Sequence, residues 1–163
     1  MRKEIENKTR NNIMYRRIVI IGGNKMDNPK IIGQTKAAGF QVGVRRMFPI
    51  SQEEAWNLVT SKDGLNLWLG ESINIILEPG QNYITKLGAG EIRIVKPLQQ
   101  LRLTWQKVGW EKASTVQVRI IPGASNKTTI SFHQEKLSDQ NVREEMKKHW
   151  EKVLEELKVR IPK

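Results

Sequence analysis

The sequence predicts an α+β fold in which a long C-terminal helix packs across a curved antiparallel sheet of about six to seven strands. Apolar residues recur at helical spacing near the C-terminus, over residues 138–161. Before that helix, apolar and polar residues alternate in a series of short runs between residues 40 and 134. Two short helical segments follow the first of these runs, so the sheet and helices are segregated along the chain as in an α+β domain.

The chain of 163 residues is long enough to bury an apolar core as one domain, which we expect at residues 34–163. No cysteine is present, so the sequence offers no disulfide, thiolate metal site or cysteine nucleophile. This composition fits a cytoplasmic protein. The longest apolar run near the N-terminus, at residues 18–21, is too short for a membrane span.

Residues 1–33 differ from the rest of the chain and are expected to form a disordered N-terminal extension. The first 25 residues hold seven bases and two acids, a net charge of +5 out of +11 for the whole chain. Two interpretations remain open. The segment is a basic arm, or residues 22–26 are a translated ribosome-binding site and the native chain starts at Met26.

The first strand is predicted at residues 40–48, where Phe40, Val42, Val44 and Phe48 share one face. Proline at position 49 ends this run because it cannot donate to a sheet ladder.

Two short helices are expected next. Ser51 and Glu54 have the spacing at which a hydroxyl and a carboxylate cap each other's backbone amides, which predicts a helix start. A second helix is predicted over residues 64–69, and the two helices carry Trp56 and Trp68 inward.

The remaining strands are separated by glycine and proline turn signals, including the glycines at positions 88 and 90. The predicted strands are 72–77, 82–87, 91–96, 100–106, 115–121 and 128–134. With the first strand they form a meander of about seven strands.

One amphipathic helix is predicted over residues 138–161, capped by Ser138 or Asp139. Its apolar residues fall within an arc of roughly 120°; they are Val142, Met146, Trp150, Val153, Leu154, Leu157 and Ile161. The helix cannot bury this stripe alone, so the stripe is expected to cover the apolar face of the sheet. A curved sheet around one helix is expected to leave a cavity.

Four segments carry a resemblance to a known family. They are GFQVGVRRMFPISQEEAWNLVTSKDGLNLWLG, EIRIVKPLQQLRLTWQ, STVQVRI and FHQEKLSDQNVREEMKKHWEKVLEELK, within residues 34–161. Together they resemble the START-like, or SRPBCC, superfamily with its helix-grip fold, and within it the family named for the C-terminal domain of the activator of the heat-shock-protein-90 ATPase. The resemblance implies a deep hydrophobic cavity, used across the superfamily for lipids, polyketides, hormones and aromatic compounds.

We expect the ligand-binding side chains to line that cavity, between the sheet and the long helix. They are Trp68, Leu103, Trp105, Val118, Phe132, Met146, Trp150 and Val153. Binding would come from burial of apolar area, with polar groups near the rim fixing orientation.

Three residues are candidates for the cavity mouth. Arg46 shares the inward face of the first strand, where it forms a rim ion pair with Glu53 or Glu54, which we favour, or meets an anionic head group. Trp110 lies in a loop between two strands, as a lid or as an exposed side chain. His149 lies at the edge of the helix stripe, where an ordinary packing role is commoner than that of a base or ligand donor.

No metal site, cofactor or catalytic triad is predicted. His133 is expected to point away from the cavity, and nothing in the spacing of Ser, His and Asp suggests a triad. An enzyme of the cyclase or dehydratase kind needs polar side chains converging inside the cavity, which the alternation does not indicate.

The predicted function is that of a bacterial module that binds a small hydrophobic or amphipathic molecule. The alternative is a protein-interaction module of the co-chaperone type, which would bind a chaperone or other protein through the outer face of the sheet or the charged side of the helix. The eukaryotic activator has a large additional N-terminal domain, whereas only about 38 residues precede the first strand here, which weakens the expectation of chaperone activation. Nucleic-acid binding is not expected, because Tyr15 is the one aromatic residue among the N-terminal bases.

Overall fold

The computed structural model describes residues 34–35, 39–72 and 74–162. The predicted N-terminal extension, and with it the question of Met26, lies outside these residues. The described elements are, in chain order, β1 (Gln34–Thr35), β2 (Gly39–Phe48), α1 (Gln52–Thr60), α2 (Lys62–Leu69), β3 (Asn82–Ile84), β4 (Gly88–Lys96), β5 (Gln100–Lys107), β6 (Ser114–Pro122), β7 (Thr128–Leu137) and α3 (Gln140–Val159).

The strands form one seven-stranded sheet in the order β1-β2-β7-β6-β5-β4-β3, and every neighbouring pair is antiparallel. Strands β3 to β7 are a meander of hairpins. The chain enters at the other end of this meander, where β2 pairs with β7, and α1 and α2 then carry it across to β3. The predicted α+β architecture is confirmed.

The predicted strand at residues 72–77 was wrong. In residues 71–72 and 74–77 the backbone is irregular, although Ile75 and Leu77 pack against the core and Ile76 between them is exposed. The alternation therefore reflects a segment that packs every second side chain on the core without pairing as a strand of the described sheet.

The turn predicted at residues 88–90 was also misplaced. The chain reverses before Gly88, between the end of β3 and the start of β4. There the Thr85 hydroxyl accepts hydrogen bonds from the amides of Leu87 and Gly88, and it donates one to the carbonyl of Leu69. Gly90 lies inside β4, and a Cβ atom built there would lie 1.8 Å from the carbonyl oxygen of Thr104. Glycine at this position serves close strand packing rather than a turn.

The helix caps follow the predicted chemistry. The Ser51 hydroxyl accepts from the amide of Glu54 at 3.1 Å and starts α1, while the Glu54 carboxylate accepts from that hydroxyl at 3.2 Å rather than from the Ser51 amide. Of the two candidates for the long helix, Asp139 is the cap, and its carboxylate accepts from the amide of Val142 at 2.9 Å. None of the helices in the described part of the chain has the length and apolar character that a membrane-spanning helix needs.

The apolar stripe of α3 lies on the sheet as predicted. Met146, Trp150, Val153, Leu154 and Leu157 are buried, while Val142 and Ile161 at the two ends are half-buried against the same core. The stripe therefore closes the inner face of the sheet along the length of the helix.

Substitution Gly90→Ala is expected to lower the free energy of unfolding by more than about 2 kcal/mol, because the backbone of β4 or β5 must move to admit the methyl group. Gly43→Ala is the matched control in β2, since its Cβ would meet only the His133 ring, at 3.5 Å. Urea unfolding of both variants measures the difference, and equal stabilities would contradict the close approach at Gly90.

Candidate functional site

The space between α3 and the sheet is filled by aromatic rings. Trp150 of α3 stacks on Phe132 of β7, with ring centroids 4.7 Å apart and planes inclined by 12°. Trp68 of α2 lies against both, at 5.6 Å from Phe132 and 6.2 Å from Trp150. All eight predicted cavity residues are buried, as their inward positions predicted. Their role in binding a ligand stays a prediction.

A chain of buried hydrogen bonds runs through this interior. The Trp150 indole donates to Gln134 Oε1 at 3.0 Å, Gln134 Nε2 donates to Ser114 Oγ at 2.9 Å, and Ser114 Oγ donates to the carbonyl of Trp105 at 2.7 Å. This polar set was not predicted from the sequence. The sequence could have indicated it, because Gln134 lies two residues after the inward-facing Phe132 in β7, and residues two apart in a strand point to the same face. The network fixes the indole of Trp150 and ties it to the backbone of β5 at Trp105, whereas the indole nitrogen of Trp105 is buried without a hydrogen-bond partner among the described residues.

His149 lies at the edge of the aromatic interior. Its Nε2 is 3.2 Å from the carbonyl oxygen of Trp68. A carbonyl only accepts, so Nε2 carries the proton of the neutral ring and Nδ1 keeps a lone pair. The ring also stacks on Trp105 with centroids 6.2 Å apart, and its edge meets Trp150.

Burial lowers the pKa of His149 below its ordinary value, and the charges of Lys107 and Lys152 lower it further, whereas the hydrogen bond to Trp68 opposes the shift. The neutral form is therefore the one favoured in the folded protein near pH 7.

His149 borders a small cleft of about 250 Å³ at one edge of the sheet and helix. Its lining is Leu87, Trp105, Lys107, Glu145, Met146, Lys148, His149 and Lys152. Two of the predicted cavity residues, Trp105 and Met146, thus reach a surface opening, next to an ion pair between Lys107 and Glu145.

A larger cleft of about 650 Å³ lies between the β5–β6 loop, the end of β7 and the start of α3. It is lined by Gly39, Gly109, Trp110, Glu111, Lys112, Lys136, Leu137, Ser138 and Val142. The backbone φ angle of Lys136 is +61°, at the point where the pairing of β2 and β7 shifts register. This irregularity shapes the end of β7 beside the cleft.

Trp110 connects the two clefts. Its ring is half-buried and meets Trp105 edge-on, with centroids 5.5 Å apart and planes at 76°. Trp110 lines the larger cleft and Trp105 lines the smaller one. Of the three mouth candidates, Trp110 is therefore half-buried between the larger cleft and Trp105, and its role as a lid stays a prediction.

Arg46 forms the predicted kind of contact with a different partner. Its Nη1 lies 2.5 Å from Glu155 Oε2 of α3, rather than beside Glu53 or Glu54, because the end of α3 crosses β2. The guanidinium lowers the pKa of Glu155. Arg46 is thus engaged in an exposed ion pair between sheet and helix.

His133 lies on the outer face of the sheet, away from the clefts. Its Nε2 is 3.1 Å from Gln41 Oε1, in agreement with the predicted orientation.

Comparison with protein families gives one match, over residues 49–161, to the family described as Activator of Hsp90 ATPase homolog 1-like protein. No curated protein is similar to the chain.

Several solved structures share the fold. CalU16 from Micromonospora echinospora is 22% identical over 77% of this chain and 68% of its own, with a TM-score of 0.65. An HSP90 activator from Plasmodium falciparum is 19% identical over 73% of this chain and 94% of its own, with a TM-score of 0.64. Protein MLL2253 from Mesorhizobium loti is 20% identical over 72% and 93%, with a TM-score of 0.62.

The lowered pKa of His149 predicts a loss of stability in mild acid. As the pH falls, the unfolded chain takes up this proton before the folded protein does, so the stabilisation is complete above the unfolded pKa of about 6.5 and is lost as the pH approaches the lower folded pKa. Urea unfolding on both sides of that pH measures the slope, which His149→Gln is expected to reduce. An unchanged slope in the variant would assign the acid sensitivity to other groups.

Proposed function

Because the chain belongs to the Activator of Hsp90 ATPase homolog 1-like family, we propose that it binds a small amphipathic molecule at the end of the sheet–helix interface, beside Trp110. The observation that carries this proposal is the cleft of about 650 Å³ next to the aromatic interior. Ligand pockets commonly have volumes of about 300–1,000 Å³. The cleft is therefore large enough for a metabolite-sized molecule.

The lining of the cleft suggests what the molecule looks like. Trp110, Leu137 and Val142 provide apolar contact area, and burial of an apolar body against them is the main source of affinity. Lys112 and Lys136 lie on the same rim and form no ion pair with any other described residue. An anionic group on the ligand would complement these two cations.

The loop that carries Trp110 supports a lid role. Gly109 has a φ angle of +91°, and the space beside its Cα is open, so glycine there gives the loop a conformation that other residues rarely adopt. If Trp110 swings away from Trp105, the cleft joins the eight predicted cavity residues. The ligand's apolar part then extends toward Trp105, while its anionic end remains with the lysines. We place this function in the cytoplasm.

The direct test is native mass spectrometry of the full chain purified gently from its own host, followed by denaturing extraction of any bound molecule. A stoichiometric amphipathic compound is the expected result. A clean mass of the protein alone, with no compound in the extract, would count against a tightly held ligand.

Trp110→Ala is expected to weaken binding of the fluorescent probe 1-anilinonaphthalene-8-sulfonate, an amphipathic aromatic anion, by about tenfold or more, since the stacking surface is lost. Trp56→Ala removes another half-buried tryptophan in α1, away from the cleft, and is the matched control. Fluorescence titration gives both dissociation constants. Equal affinities for the two variants would contradict a site beside Trp110.

A second candidate function is a protein-interaction module of the co-chaperone type. It is favoured by the filled aromatic interior, which leaves the surface as the place of contact. Purified chaperone ATPase from the same host provides the test. Stimulation of its turnover by the full chain, unchanged in Trp110→Ala, would support this function over ligand binding.

A further inference from the structure

The face of the sheet turned away from α3 carries cations at regular intervals. Strand register places Arg45 of β2 and Arg119 of β6 on either side of Ser131. It places Arg119 and Lys96 of β4 on either side of Gln100. One row across five strands therefore alternates cation and neutral residue, and successive cations are two strands, or about 10 Å, apart.

The neighbouring row extends this cationic face. It consists of Gly43, His133, Gln117, Arg102 and Ile94. Arg102 is a diagonal neighbour of Arg119, because it pairs with Gln117 two residues away. All members of both rows are described residues, and none of them is an acid.

Two acids near this face lie beside other bases, of which His133 is charged only when protonated. Glu135 lies beyond the second row, with its carboxylate 3.5 Å from His133 Nδ1, and Glu91 lies 3.4 Å from Arg93. Arg45, Arg102, Arg119 and Lys96 have no ion pair with any residue that the structure describes. Arg102 and Arg119 are like charges at diagonal positions on neighbouring strands, and neither is offset by an ion pair with a described residue.

Exposed apolar side chains border the cationic row on its other side. Met47 and Ile121 flank Thr129 in the next row of the same face, and they are 60% and 40% exposed. Leu98, in the β4–β5 turn near the same end of the sheet, is 38% exposed. The outer face thus carries cations in two neighbouring rows and exposed apolar side chains along one edge.

We propose that this outer face docks the protein on a membrane surface that contains anionic lipid. The cations would lie over the phosphate groups, and Met47 and Ile121 would enter the interfacial region. A single-stranded nucleic acid fits less well, because the rows contain no Phe, Tyr or Trp on which bases stack. A spread of charges over five strands also matches a surface better than one extended chain.

The proposal is tested with the full chain and sedimenting vesicles of phosphatidylcholine, with and without phosphatidylglycerol. Wild type is expected to sediment only with the vesicles that contain phosphatidylglycerol, and less so as NaCl is raised. Arg45→Glu combined with Arg119→Glu is expected to weaken this partitioning by at least about tenfold. Met47→Ser combined with Ile121→Ser is expected to reduce the binding that persists at high salt.

The matched control is Lys147→Glu combined with Lys158→Glu, which makes the same change in net charge on the exposed side of α3. Its partitioning is expected to change by less than about threefold. The basic N-terminal residues are the same in all variants, and circular dichroism checks that each one is folded.

Three outcomes would overturn the proposal. Equal losses in the two double charge variants would reduce the effect to net charge, and equal sedimentation with neutral vesicles would remove the role of anionic lipid. Binding to heparin that depends on Arg45 and Arg119, without sedimentation on vesicles, would assign the face to a dissolved polyanion. None of these outcomes depends on a ligand in the Trp110 cleft.

Discussion

The contact of Trp150 with the inner face of the sheet is the interaction on which the rest of the structure depends. Its ring stacks on Phe132, its indole nitrogen donates a hydrogen bond to Gln134, and its ring meets that of His149 edge to face. Burial of a ring this large is worth several kilocalories per mole in order of magnitude. One side chain thereby fixes how α3 lies on β7, and the hydrogen-bonded chain from Gln134 to Ser114 extends the constraint to β6.

This filled centre moves the openings to the edges of the sheet–helix interface. His149 and Trp105 line the small cleft. The β5–β6 loop, including Trp110, lines the large one. Trp110 meets the ring of Trp105 edge-on, in a loop where Gly109 has a φ angle of +91°. The proposed entry route therefore uses the half-buried Trp110, whereas Trp68 and Trp150 are fully buried behind it.

The two faces of the same strands have separate tasks. Within β6, Val116, Val118 and Ile120 face the core, while Gln117, Arg119 and Ile121 form part of the outer face. A strand has a period of two residues, so the chemistry of one face changes without disturbing the other. The proposed ligand site and the proposed membrane surface can therefore coexist on one sheet.

The sequence alone determined the parts of this protein that depend on local periodicity and local chemistry. Alternation located β2 and most of β5, β6 and β7, the helical stripe identified the buried side of α3, and side-chain chemistry named Ser51 and one of two adjacent residues as caps. The alternation of β7 also predicts that Gln134 points inward, because it lies two residues after Phe132. Its polar side chain made this position look like an exposed one. These features are set by residues a few positions apart.

Tertiary structure decided the features that join distant residues. Alternation at residues 72–77 did not reveal whether another strand was available to pair with this segment. The sequence around Gly90 resembled a turn, and only the tertiary structure shows that Gly90 lies against the backbone of Thr104. Arg46 forms its ion pair with Glu155 rather than with Glu53 or Glu54, which are closer in the sequence. The position of α3 on the sheet, not distance along the chain, brings these two charges together. The contact of Trp110 with Trp105 likewise depends on how a loop folds back on its own strand, and the cation rows exist only once register aligns five strands. Periodicity specifies which way a side chain points, and only packing specifies what it meets.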